Sequence, residues 1–240
     1  MRGIYSATAG MLNSFAELNT ISNNLANADT IGYKKDYNLF KSVYEREISV
    51  FHDENDRGIL IGNLYSSVVL DEVVPNMEQG TLIETKNNFD FAIYGEGLFK
   101  VERNGNYYYT RNGEFTLNQD GFLVNKNGDY ILDNQNNRIL VNPADFFVLS
   151  DGSISGTNIR LNIVNLNNPI KYGDNYYIGE EAADTNLFEV KQGYIESSNV
   201  NVLNEMIKMI EANRKFDILQ RAITSEDSLN EKIIQIASSS

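Results

Sequence analysis

Few residues in this chain have the types and spacing for chemistry. His52 is the single histidine of 240 residues. It sits in the run HDENDR, His52–Arg57, with no nucleophile in its context, so it reads as a solvated loop residue rather than a triad member. One histidine also excludes a histidine-rich zinc site. Asp53, Glu54 and Asp56 suggest a calcium loop, but Arg57 and Gly58 fall at the wrong places for it. Asp133–Asn137 fails in the same way, because Arg138 stands where glycine is needed. Gly95-Glu96-Gly97 begins like a dinucleotide fingerprint, but Lys100 replaces the third glycine, which leaves a strand-flanking turn. Acids are numerous in the middle of the chain, yet nothing singles out the carboxylate pair of a glycosidase. The fourteen tyrosines could form a sugar-stacking surface, but aromatic strands more often build a β core. No catalytic, cofactor-binding or metal-binding residue emerges, and no small-molecule substrate is implied.

Composition narrows the field further. A net charge of −13 argues against nucleic acid or an anionic membrane as partner, because phosphate contact needs clustered Lys and Arg. The absence of cysteine excludes disulfides, thiol catalysis and thiolate metal sites. No run approaches the ~18 apolar residues of a membrane span. Asn13, Ser14 and Glu17 interrupt the place of an apolar signal region, so a cleaved secretory signal is not expected.

The elements follow from periodicity. From Ser198 to Ala237 the chain predicts one long amphipathic helix. Val202, Met206, Met209, Ala212, Phe216, Leu219 and Ile223 line one face, continued after a drift by Ala222, Leu229, Ile233 and Ile236. Glu211/Lys215 and Asp217/Arg221 are acid-first pairs four apart. Ser198, Asn199 and Asn201 are candidate N-caps. Such a helix is roughly 55 Å long, more than a small core covers, so it needs a partner. Residues 1–28 supply one: Ile4, Met11, Leu18 and Leu25 recur at seven, with Ala7, Phe15 and Ile21 on the same side. Gly32 stops that helix. Periodicity alone also allows two ordinary surface helices on one core.

Between the helices, Tyr33 to Asn88 is weakly periodic and reads as a connector, with a strand from Val68 to Val74 ended by Pro75. From Phe89 to Leu149, Asn104-Gly105, Asn112-Gly113, Asp120-Gly121 and Asn127-Gly128 punctuate short aromatic and β-branched runs. That pattern predicts a β-meander whose tight turns have positive φ at glycine. Asp151-Gly152 adds a turn, Asn168-Pro169 a break, and Tyr172–Ile178 an aromatic strand. The expected class is α+β: N- and C-terminal helices around a mainly antiparallel β-domain. The expected divisions are 1–32, 33–88, 89–192 and 193–240.

Four stretches together resemble the bacterial flagellar axial proteins, the rod, hook and hook-associated subunits. SNNLANADTIGYKK, Ser22–Lys35, is similar to that family's N-terminal signature through Asn23, Asn24, Leu25, Ala26, Asn27, Thr30, Gly32, Tyr33 and Lys34. QGTLIETKNNFDFAIYGEGLFKV, Gln79–Val101, and YTRNGEFTLNQDGFLV, Tyr109–Val124, resemble its β-domain. GYIESSNVNVLNEMIKMIEANRKF, Gly193–Phe216, resembles the start of its C-terminal helix. Leu98 and Phe89 depart from the commoner Phe and Leu.

The resemblance implies a structural protein without enzymatic activity or cofactor. Its terminal helices would pair as a coiled coil, with Ile4, Met11, Leu18, Leu25, Met206, Met209, Phe216, Leu219 and Ile223 as assembly residues. Its partners would be copies of itself, other rod and hook proteins, and the flagellar export apparatus. It would sit in the basal-body rod, part of a torque-transmitting tube around an export channel, and reach it without a cleaved signal peptide. Length favours the proximal-rod type over a distal-rod or short hook-type protein. A β-rich carbohydrate-binding or -processing module is the reading from another class.

Overall fold

A computed structural model describes residues 2–50, 59–142, 146–182 and 188–238; His52, Asp53, Glu54 and Asp56 lie outside the described residues. The chain forms two compact units, one of residues 1–23, 37–73 and 203–240, the other of residues 24–36 and 74–202.

The first unit contains the two helices and a β-ribbon. Helix α1 spans Arg2–Ala26 and α2 spans Val202–Ser238. Of the three candidate caps, Asn201 alone directly precedes α2. On α2, Glu205, Met209, Ala212, Phe216, Leu219, Ile223 and Glu226 are covered, at strictly alternating steps of four and three, while Val202, Met206, Ala222 and Leu229 are exposed. The side chains of Ile233 and Ile236 are not among those described. On α1, Ile4, Ala7, Met11, Leu18, Ile21 and Leu25 are covered, but Phe15 is 55% exposed and Ser14, one position before it, is fully buried. The reason is close approach. Ser14 Oγ turns back to the Gly10 carbonyl at 3.0 Å, and a Cβ added at Gly10 would lie 3.1 Å from Leu219 Cδ1. Small residues are needed there, and a phenyl ring would not fit. Lys215 Nζ lies 3.6 Å from Glu17 Oε2 on the other helix rather than pairing with Glu211.

The connector is more regular than its sequence suggests. Strands β1 (Asp36–Val50) and β2 (Ile59–Pro75) pair as a two-stranded sheet. Asn13 of α1 donates to the Val68 carbonyl at 2.6 Å, and Thr20 to Asn38 Oδ1 at 2.7 Å. Tyr37, Leu39, Val43, Val68, Leu70 and Val73 are all exposed. Apolar residues stand exposed on both faces, as Leu39 and Phe40 do on β1 and Leu70 and Val73 on β2, so the sequence carries no clean alternation.

The second unit holds the remaining strands: β3 Leu82–Glu84, β4 Phe91–Gly95, β5 Leu98–Arg103, β6 Asn106–Thr110, β7 Phe115–Leu117, β8 Leu123–Asn125, β9 Tyr130–Ile131, β10 Ile163–Val164, β11 Leu166–Gly173, β12 Tyr176–Glu181, β13 Phe188–Gln192 and β14 Tyr194–Glu196. The main sheet runs β11-β12-β6-β5-β9-β8-β7, with β10 also on β5; β13 pairs with β4, and β14 with β3. These pairs are antiparallel. The core gathers Phe91, Phe99, Val101, Phe115, Leu123, Ile131, Leu161, Tyr176 and Val190. Phe99 and Phe115 meet edge to face at 5.2 Å.

Four local expectations are corrected. The run is not one meander: β6 pairs with β5 and β12, while β7 lies at the far edge and β9 returns to β5. Long-range pairing overrides chain order there. Asn168-Pro169 lies inside β11, where Asn168 at φ 50° and a register shift make a bulge on the edge strand. The Tyr172–Ile178 run contains the turn at Asp174 and Asn175 between β11 and β12. Gly105, Gly121 and Gly128 do have positive φ, but Gly113 does not. Gly113 is required because a Cβ would fall 1.6 Å from the Phe91 carbonyl oxygen.

Candidate functional site

The residues with unusual chemistry converge where the segments flanking the two helices meet inside the β unit. Helix α1 unwinds through short turns, Asn27 N to Asn24 O at 3.2 Å and Thr30 N to Asn27 O at 3.1 Å. Gly32 then takes φ 67°, and a Cβ there would lie 2.5 Å from the Arg111 carbonyl carbon. This close passage brings the next two residues inside.

Lys34 and Glu196 are each 1% exposed and Arg111 is 4% exposed. Lys34 Nζ donates to Glu196 Oε1 at 2.6 Å and to the Glu78 carbonyl at 2.7 Å. Arg111 Nε donates to Glu196 Oε2 at 2.5 Å. Arg111 Nη2 reaches the Ile93 carbonyl at 2.8 Å and the Gly95 carbonyl at 2.6 Å, and Nη1 reaches the Gly97 carbonyl. The turn at Gly95-Glu96-Gly97 is therefore wrapped around a guanidinium. Gly80 N also donates to Glu196 Oε1 at 2.7 Å, and Gly32 N to the Glu196 carbonyl at 2.7 Å. One carboxylate thus serves two buried cations and a backbone amide. Burial pushes the Lys34 ammonium below its usual range, and Glu196 opposes that shift.

A second shell of contacts holds the same segment. Asn24 is buried and brackets Asp36: its Nδ2 donates to the Asp36 carbonyl at 2.9 Å and its Oδ1 accepts from Asp36 N at 2.8 Å and from Tyr33 Oη at 3.2 Å. Lys171 of β11 lies 3.8 Å from the Tyr33 ring centroid and donates to the Lys34 carbonyl at 2.5 Å. Its Nζ is also 2.9 Å from Asp36 Oδ1. Asn199 accepts from Lys35 N at 2.7 Å and donates to the carbonyls of Asn76 and Glu78, both at 2.9 Å.

This arrangement can bind together segments distant in the chain. Every polar atom of the ion network faces another protein group. Among the described residues no cluster of His, Cys, Asp and Glu could hold a metal ion. Asp133, the loop acid, spends Oδ1 on the amides of Gln135 at 2.8 Å and Asn137 at 2.7 Å.

Of the motif residues singled out in the sequence, Asn24, Gly32, Tyr33 and Lys34 meet in this clasp. Asn27 closes a local turn with Thr30, Leu25 is half-buried and Asn23 is exposed. The assembly-helix residues Ile4, Met11, Leu18, Met209, Phe216, Leu219 and Ile223 are half-buried in the other unit, and Met206 is 51% exposed. Arg111, Lys171 and Glu196 were not singled out, and Asn199 was read only as a candidate helix cap. Their signal was available: a lone Arg after the aromatic run of β6, and a Glu closing the apolar strand β14.

Known proteins match the same pieces. Residues 4–34 match the family model described as flagella basal body rod protein, residues 92–160 the flagellar hook protein FlgE/F/G D1 domain, and residues 191–236 the flagellar basal body rod FlgEFG protein C-terminal. Lys34, Arg111 and Glu196 fall one in each. The flagellar basal-body rod protein FlgF of Caulobacter vibrioides is 30% identical over 231 residues, covering 91% of this chain and 91% of that protein. The FlgG rod protein of Agrobacterium fabrum is 31% identical over 255 residues, covering 95% and 97%. That of Bacillus subtilis is 28% identical over 267 residues, covering 98% and 99%. With matches at both ends and in the body, and relatives aligned over nearly their whole length, the chain belongs to the flagellar basal-body rod protein family, as a structural subunit of the rod.

Proposed function

We propose that α1 and α2 pair as a coiled coil and that copies of this chain, with other rod and hook proteins, assemble through the helices into a tube around the export channel. One observation carries this reading. Outside the covered stripe, the helices still present Tyr5, Leu12, Phe15, Leu203, Ile207, Ile210, Ile218 and Ile234 at 48–75% exposure. So much apolar helix surface is unusual for a protein that works as a monomer. The 3–4 spacing of the covered residues and the Gly10–Leu219 approach support the pairing.

The chain passes the flagellar export apparatus, and its single β-domain fits a proximal-rod position. Catalysis, cofactors and nucleic acid have no part in this function. In this reading the two helices are the assembly elements, β1 and β2 a connector ribbon, and residues 24–36 and 74–202 the β-body.

Ile218→Asp tests the reading. Ile218 is 66% exposed, so the substitution costs the free subunit almost nothing in folding. In the tube it would bury an unpaired carboxylate, at a cost of several kcal/mol. The mutant subunit should be exported yet fail to complete the rod, and the cells should not swim. Gln220→Asp, on an exposed polar position, is the control. Normal swimming with Ile218→Asp would remove this face from assembly.

A further inference from the structure

The β unit is completed by the segment Phe188–Asn199, near its C-terminal end. β13 supplies the strand partner of β4, in register from Phe188↔Gly95 to Gln192↔Phe91, and β14 that of β3. Val190 enters the main core at 4% exposure. Gln192 accepts from Val148 N at 3.1 Å and donates to the carbonyls of Asn88 at 2.8 Å and Phe146 at 3.2 Å. Glu196 provides the carboxylate that both Lys34 and Arg111 contact, and Arg111 in turn holds the Ile93–Gly97 turn leading into β5. Before this segment docks, two cations must either sit buried without a carboxylate or stay in water with the segments that carry them.

We infer that Phe188–Asn199 is a folding gate: the β unit reaches its ordered state only when Glu196 docks between Lys34 and Arg111. A chain made from its N-terminus cannot close this unit until residues just before α2 are available. The body is thereby held open through most of synthesis, which suits a subunit that must travel unfolded. That use rests on the export reading above; the gate itself does not. The opposing expectation is also physical. The β5–β6 hairpin and the β7–β8–β9 run are local, and local contacts ordinarily form first.

Pulse-labelled amide exchange during refolding of the full-length chain decides between them. Two core amides, Leu123 N to Ile139 O at 2.9 Å and Leu132 N to Lys100 O at 3.2 Å, report the sheet. Gly32 N, Gly80 N, and Ser197 N, which donates to Thr81 O at 2.9 Å, report the clasp. The gate predicts protection of both sets in one phase, with rates agreeing within about twofold, and Glu196→Gln slowing both by about tenfold or more. Core amides protected in an earlier phase, or slowing confined to the clasp amides, would overturn it. If Glu196→Gln does not refold, the wild-type order of protection decides alone. A subunit found to travel folded would overturn the use and leave the order of protection as measured.

Discussion

Arg111→Lys isolates geometry from charge at the clasp. Arg111 makes four hydrogen bonds from one planar group: to Glu196 Oε2 at 2.5 Å, to the carbonyls of Ile93 at 2.8 Å and Gly95 at 2.6 Å, and to that of Gly97. Lysine keeps the positive charge but offers one ammonium, which cannot reach the carboxylate and all three carbonyls at once. Gln79 Nε2 still donates to the Ile93 carbonyl at 2.9 Å, but the carbonyls of Gly95 and Gly97 lose this donor at about 1–3 kcal/mol each, so the substitution should cost about 2–6 kcal/mol. At a urea slope of about 2 kcal/mol per molar, the midpoint falls by roughly 1–3 M. The assay is urea unfolding of the full chain followed by near-ultraviolet circular dichroism, because buried Tyr109, Tyr176 and Tyr177 report the β unit. A loss below about 0.5 kcal/mol, the scale of ordinary surface substitutions, would refute the argument that the fork of donors holds the Ile93–Gly97 turn.

Other substitutions probe separate links. Gly113→Ala places a Cβ 1.6 Å from the Phe91 carbonyl and should cost about 3 kcal/mol or more in the same unfolding assay. Gly105→Ala, at φ 78° with open space around it, should cost only about 1–2 kcal/mol; equal losses at the two sites would undo the distinction between contact and turn. Among the described residues the Tyr177 hydroxyl is buried without a hydrogen bond of good geometry, so Tyr177→Phe should leave the urea midpoint unchanged or raise it. Burial and Asp129 push the Tyr176 hydroxyl up to about 12, and burial raises Tyr109 and Tyr177 as well. A raised folded value means stability that is intact below the ordinary tyrosine range near pH 10 and is lost as pH climbs through the folded value. Tyrosinate absorbance of this group should therefore rise together with unfolding between about pH 10 and 12, not before it.

The sequence by itself determined the class of the fold and the family, because those rest on local order. The long helix from Val202 needs only heptad spacing and freedom from Pro and Gly, and the turns at Gly105, Gly121 and Gly128 need only positive φ. The signature from Asn23 to Lys34 was legible as a pattern, but not as a mechanism. What Lys34 does depends on Arg111 and on Glu196, which lies 162 residues further on. No periodicity links them; only the pairing of β14 with β3 and the passage of Gly32 over Arg111 bring them together. The same holds for Ser14 in place of Phe15 on the covered side of α1, and for Gly113. In both cases the deciding quantity is a clearance, to the Leu219 side chain near Gly10 and to the Phe91 backbone at Gly113, and clearance exists only once both partners are placed. The ribbon of β1 and β2 was faint in sequence because apolar residues stand exposed on both of its faces, as Leu39 and Phe40 do on β1, which leaves no alternation to read.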